Sequence, residues 1–98
     1  MTTEGAVEVE VRLFATFRAA VGQKTITREF PEAVTVREVL EALEAEFDGL
    51  AGQLLADGAI PEQLNVLKNG QDVRHGEGPE GTLTTGDRLS LFPPVAGG

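Results

Sequence analysis

From Val7 the chain alternates strictly, with Val7, Val9, Val11 and Leu13 on one side and Glu8, Glu10 and Arg12 on the other. A period of two carried by β-branched residues predicts a half-buried strand. Continued parity places Phe14 on the solvent side. Ala15 to Val21 reads as a connector containing Phe17, and Gly22 with Gln23 as a turn. Lys24 to Phe30 reads as a second strand, with Ile26 and Phe30 inward. The spacing predicts a hairpin with a longer loop.

The period then changes. Thr35 followed three residues later by Glu38 is a capping-box signature, in which each side chain takes up a free backbone N–H at a helix start. Val36, Val39, Leu40, Leu43 and Phe47 follow at helical spacing, while Glu38, Glu41, Glu44 and Glu46 lie off that stripe, toward solvent. Gly49 is the expected C-terminal stop. The stripe reads as core, because a hairpin must bury its apolar face against something. Leu54 and Leu55 are expected in a short helical turn closed by Asp57-Gly58. Asn65 to Lys68 reads as a third strand, Asn69-Gly70 as a tight turn and Val73 as part of a brief return strand. Gly76 to Gly86 reads as loop. Asp87 to Phe92 is the last strand, with Leu89 and Leu91 inward and Ser90 and Phe92 outward. Pro93-Pro94 blocks further ladder pairing.

Residues 1–6 therefore form a polar leader expected to fray, 7–92 one domain, and 93–98 an extended tail. The element order predicts an α+β domain, with a mixed sheet of four to five strands and one main helix across one face. The economical assembly is the β-grasp, with the first and last strands parallel and adjacent at the centre.

Composition narrows the chemistry. Ninety-eight residues suit one core. Sixteen acidic residues against eight basic ones give a net charge of -8, which argues against nucleic acid or anionic membrane as partner. The absence of cysteine excludes disulfides, thiolate metal sites and thiol nucleophiles. No signal peptide or membrane-length apolar run is visible, so a cytoplasmic protein, monomeric when free, is expected. Lys24 and Lys68 are the lysines; acidity with few lysines suits a high-salt cytoplasm, where a hydrated charged surface resists salting out.

Candidate active-site signals are sparse. The stretch Gly76-Glu77-Gly78-Pro79-Glu80-Gly81 carries two glutamates and no lysine, so it reads as a solvated loop rather than a phosphate cradle. His75 has no partner histidine four residues away, and no metal or cofactor site is expected. The C-terminus differs. Pro93 and Pro94 stiffen the exit, and Gly97 and Gly98 form a thin strip able to thread a narrow channel. A terminal carboxylate on such a strip can attack the α-phosphate of ATP held by another protein.

Four segments carry a wider resemblance: Leu13-Phe14-Ala15-Thr16-Phe17-Arg18 with Val21-Gly22, Thr35-Val36-Arg37-Glu38-Val39-Leu40, Asn65-Val66-Leu67-Lys68-Asn69-Gly70, and Gly86-Asp87 leading to Phe92-Pro93-Pro94-Val95-Ala96-Gly97-Gly98. In this order they resemble the MoaD/ThiS family of ubiquitin-like sulfur carriers, and within it the haloarchaeal small archaeal modifier proteins (SAMP) of MoaD type. The resemblance implies that an E1-like adenylyltransferase activates Gly98 with ATP, with Gly97 giving access. Sulfur transfer then yields a Gly98 thiocarboxylate that feeds molybdopterin synthase, whose MoaE-type large subunit supplies the catalytic side chains. Alternatively, Gly98 is joined to a target lysine by an isopeptide bond, which a desampylase-type protease would cleave. The chain itself would be no enzyme and bind no cofactor, the ATP belonging to the activating enzyme. The loop from Asp72 to Thr85 is less family-like.

Parity also proposes a docking surface. Phe14, Leu67 and Phe92 point off the core face of strands that adjoin in a β-grasp, and with Pro93, Pro94 and Val95 they form an expected partner-binding patch. Lys24 and Lys68 are candidate acceptors of further modifier chains. Three functions stay open at this point: a modifier that also carries sulfur, a dedicated small subunit of molybdopterin synthase, and a β-grasp binding module that is never activated.

Overall fold

The computed structural model describes residues 6–93. In chain order it contains β1 (Val7–Leu13), α1 (Ala15–Val21), β2 (Thr25–Phe30), β3 (Val34–Thr35), α2 (Val36–Glu46), β4 (Asn65–Lys68), β5 (Gln71–Asp72), β6 (Thr82–Leu83) and β7 (Arg88–Phe92). Five strands form one mixed sheet in the order β2-β1-β7-β4-β5. β7 runs parallel to β1, with Val11 beside Leu89 and Leu13 beside Leu91, and antiparallel to β4, with Val66 beside Leu91. The alternation in β1 thus sends Val7, Val9, Val11 and Leu13 into the core, where α2 meets them with Val36, Val39, Leu40 and Leu43. Each such side chain contributes about 1.5–3 kcal/mol on burial. The capping box forms as expected: Glu38 N–H donates to Thr35 Oγ1 at 3.1 Å, and Thr35 N–H to Glu38 Oε1 at 2.8 Å.

The expected connector at Ala15 to Val21 is instead a helix, α1. Its seven residues make barely two turns, too few to show a period. It is held by Phe17, which is buried, and by Gly22, whose left-handed φ of 88° lets its N–H reach Arg18 O at 2.7 Å. α2 stops before the expected Gly49: Phe47 is already extended and packs partly buried against the core, and a 3₁₀ turn over Asp48–Leu50 then buries Leu50. Gly49 serves a different purpose. A Cβ there would lie 2.7 Å from Ala20 Cβ on α1. Gly49→Ala should therefore destabilise the fold by about 1–3 kcal/mol, a typical overpacking cost. Thermal unfolding checks this, each kcal/mol shifting the midpoint by about 4–8 °C in a domain of this size.

Leu54 and Leu55 form no helical turn. Glu44, expected to face solvent, is half-buried and accepts both of their N–H groups, at 2.8 and 3.1 Å. Asp57 and Gly58, both at positive φ, close a tight turn in which Ala56 and Ala59 exchange backbone bonds of 2.8 and 2.9 Å. Val73 is not in the return strand, which is limited to Gln71–Asp72; it is buried in a 3₁₀ turn over Val73–His75. The glycine-rich segment is not all loop. Leu83 is fully buried in β6, whose pairing with β3 sets it opposite Val34. One apolar residue among glycines and threonines carries no periodic signal.

Candidate functional site: the sheet end where the chain leaves

β7 is the central strand, and it finishes beside the end of β1. Opposite the core, the outer face changes character along its length. Where β7 begins, Glu10 of β1 accepts Arg88 Nε at 2.8 Å and Arg12 Nε at 3.2 Å. Where β7 ends, the face is aromatic. Phe14 continues the strand geometry of β1 one residue beyond its ladder, at φ −124° and ψ 151°. Its ring stacks on Phe92, with centroids 4.2 Å apart and planes 13° from parallel. Ala15, at φ 53°, then turns the chain away into α1. A non-glycine residue rarely adopts that conformation, so the stack ends at a strained corner.

Parity therefore places the expected residues as follows. Phe14, Phe92 and Leu67 share the outer face, and all three are half-buried. Phe92 lies opposite Asn65 and Leu67 opposite Ser90, so Leu67 sits diagonally from the stack. Pro93 is also half-buried and is the last described residue; Pro94, Val95, Gly97 and Gly98 lie outside the described residues. Lys24 is exposed just before β2, whereas Lys68 is half-buried, its ammonium donating to Thr82 O at 3.0 Å.

The start of β7 is pinned separately. Asp87 accepts Thr84 N–H at 2.8 Å and the Asn69 amide at 3.0 Å, while Asn69 Oδ1 accepts Arg88 N–H at 2.9 Å. Partial burial pushes the Asp87 carboxyl upward, but the bonds from Thr84 and Asn69 and the nearby Lys68 charge outweigh it and hold the group below its ordinary value. The tight turn at Asn69-Gly70 and the loop before β7 are thus tied to one carboxylate, which fixes where the last strand starts.

Two concavities flank this frame. The larger, about 450 Å³, lies under the 72–81 segment at the far end from Phe92, with Lys68, Asp72 and His75 on its wall. The smaller, about 180 Å³, adjoins Phe14 and is lined by Arg12, Leu13, Arg18, Lys24 and Thr25. Sequence reading missed this second cleft, because its cations are spread over thirteen positions and meet only through the β1–β2 hairpin. Among the described residues, no group of three or more histidines, cysteines and carboxylates is placed to hold a metal, and no helix is long and apolar enough to cross a membrane.

Comparison with known proteins agrees with this frame. The ThiS family model matches residues 11–98. The chain is 53% identical over 92 residues to small archaeal modifier protein 3 of Haloferax volcanii, covering 94% of this chain and 100% of that protein. It is 30% identical over 80 residues to the sulfur carrier protein CysO of Mycobacterium tuberculosis, covering 79% of this chain and 83% of that protein. The solution structure of the Haloferax volcanii HVO 2177 protein superimposes with a TM-score of 0.90 at 51% identity, covering 100% of this chain and 92% of that one. The shared architecture is the ubiquitin-like β-grasp. With the family match spanning nearly all of the chain and an aromatic-flanked final strand leading to Gly97-Gly98, this protein belongs to the ThiS family, among the small archaeal modifiers and sulfur carriers.

Proposed function

We propose that this chain is a ubiquitin-like protein modifier that also carries sulfur, and that its reactive group is the Gly98 carboxylate. The observation that carries the reading is the placement of β7. The central strand delivers the chain to the sheet end beside the Phe14–Phe92 stack, and the remaining sequence is proline, valine, alanine and two glycines. A partner holding the aromatic patch is seated where the described chain ends, at Pro93.

In the proposed reaction, an E1-like adenylyltransferase binds ATP. A Gly98 carboxylate oxygen attacks the α-phosphate, and pyrophosphate leaves. The resulting mixed anhydride is an electrophile at the Gly98 carbonyl. A neutral lysine amine on a target attacks it, AMP departs, and one proton is released as the isopeptide bond forms. Hydrosulfide attacking the same carbonyl instead displaces AMP, loses its proton and leaves a thiocarboxylate, the form that would serve a MoaE-type large subunit. Glycine at the last position leaves the carbonyl unshielded by a Cβ. In this reading the chain contributes a grip and an acid, and the activating enzyme contributes the catalytic side chains.

Likeness to a protein named as a modifier supports conjugation, and likeness to one named as a sulfur carrier supports the second fate. Expression of a tagged chain in its own cells tests conjugation. The expected result is a ladder of tagged proteins whose tryptic peptides carry a Gly-Gly remnant on lysine. A tagged chain found only free, with a molybdenum-cofactor defect when the chain is deleted, would favour the dedicated molybdopterin synthase subunit.

A further inference from the structure

Sixteen carboxylate side chains surround eight basic ones, so each cation has acidic neighbours in excess. Five arginines follow that expectation: Arg12 and Arg88 on Glu10, Arg28 on Glu46, Arg37 on Glu80 and Arg74 on Asp72. The Lys68 ammonium is held by the Thr82 carbonyl. Arg18 and Lys24 are the exceptions. Both are exposed, and among the described residues neither side chain has a carboxylate within ion-pair range or a hydrogen-bond partner.

These two cations line the same cleft of about 180 Å³, together with Arg12 and Phe14. Their backbone is fixed: Gly22 N–H bonds to Arg18 O at 2.7 Å, and Leu13 N–H to Lys24 O at 2.8 Å. The cleft shares Phe14 with the aromatic stack. A chain of net charge -8 thus brings together the two cations that pair with no described residue, against the surface proposed to receive the activating enzyme.

We propose that the Arg12–Arg18–Lys24 cleft binds aspartate or glutamate carboxylates of the activating enzyme, as the polar half of an interface whose apolar half is the Phe14–Phe92 stack. This rests on the reading that Gly98 is adenylated by such an enzyme. Three points select this occupant. A guanidinium next to an ammonium matches a carboxylate pair in charge, and arginine binds a carboxylate in bidentate fashion. Three cations in one cleft do not track a nucleic-acid backbone, which the overall charge also repels. The cleft also shares Phe14 with the stack proposed to receive the enzyme, so a partner seated on the rings lies against these cations. The cleft would also set register: the acidic remainder of the surface repels a misplaced acidic partner, and only this corner accepts it.

The test is ATP–pyrophosphate exchange by the cognate adenylyltransferase with the full chain as varied substrate. It compares Arg18→Gln/Lys24→Gln with Gln53→Glu/Gln71→Glu, which makes the same change of net charge elsewhere on the exposed surface. Circular dichroism melting confirms that both variants fold. The expected result is a KM for the chain raised about tenfold or more by the first pair, roughly 1.4 kcal/mol in binding, with kcat and the KM for ATP little changed. The second pair should have far less effect. Equal shifts for the two pairs, or none for the first, overturn the proposal; a raised KM in Phe92→Ser would then leave the aromatic docking surface standing. A fall in KM would place the chain's own terminal carboxylate in the cleft, and a shift confined to the KM for ATP would place the nucleotide there; either overturns it. Absence of exchange with the unaltered chain removes the adenylation reading itself, and this proposal with it.

Discussion

Deleting Gly97 and Gly98 is expected to leave a normally folded protein that its activating enzyme no longer adenylates. The core is complete within the described residues, from Val7 on β1 to Leu91 on β7, so the melting temperature should stay within about 2 °C of the full chain. The new terminus still bears a carboxylate, yet its greatest reach is shorter by about 7 Å, the span of two residues. It also carries the Cβ of Ala96 beside the reacting carbonyl. Because a displacement of about 1 Å can cost roughly 100-fold in rate, the exchange rate should fall by at least that factor. Pyrophosphate exchange and melting measured on the same preparation check both halves. A truncated chain adenylated at the normal rate would show that the reactive group lies elsewhere.

The second large effect separates neighbours on one strand. Leu91 is fully buried in the core, while Phe92, the next residue, faces outward. Leu91→Ala should cost about 2–5 kcal/mol, through lost transfer energy and the cavity left behind. Native proteins hold only about 5–15 kcal/mol in total, so this variant should lose a large share of its stability and unfold at a clearly lower denaturant concentration. Phe92→Ser removes one stacked ring, worth about 0.5–1.5 kcal/mol to the fold. Its main effect should fall on partner affinity, weakened about tenfold or more as for a buried aromatic anchor. Chemical denaturation and binding to the activating enzyme report the two effects. Similar losses of stability from both substitutions would contradict the assignment of the two faces.

How much of this was legible in the sequence depended on how local each signal was. The alternation from Val7 to Leu13 and the outward parity of Phe14 and Phe92 are properties of short runs, and the sheet preserves them. Thr35 with Glu38, and Asn69 with Gly70, carry their own hydrogen-bonding or dihedral chemistry, so they form where they were expected. What escaped depends on distant partners. α1 is stabilised by burying Phe17, not by its own seven residues. Leu83 is a core residue only because β6 finds β3 across the chain. Glu44 lies on the polar side of its helix, but a loop returns to place the N–H groups of Leu54 and Leu55 on its carboxylate. The same reason hid the basic cleft, since Arg18 and Lys24 become neighbours only when α1 turns back at Gly22.

Intact-mass spectrometry of the full chain, after incubation with its cognate adenylyltransferase, ATP and a sulfur donor, tests the central claim most directly. The account predicts a product heavier by the exchange of one oxygen for sulfur, with fragmentation placing the change on Gly98. A chain that returns at its starting mass, or that carries the added sulfur anywhere else, would contradict it.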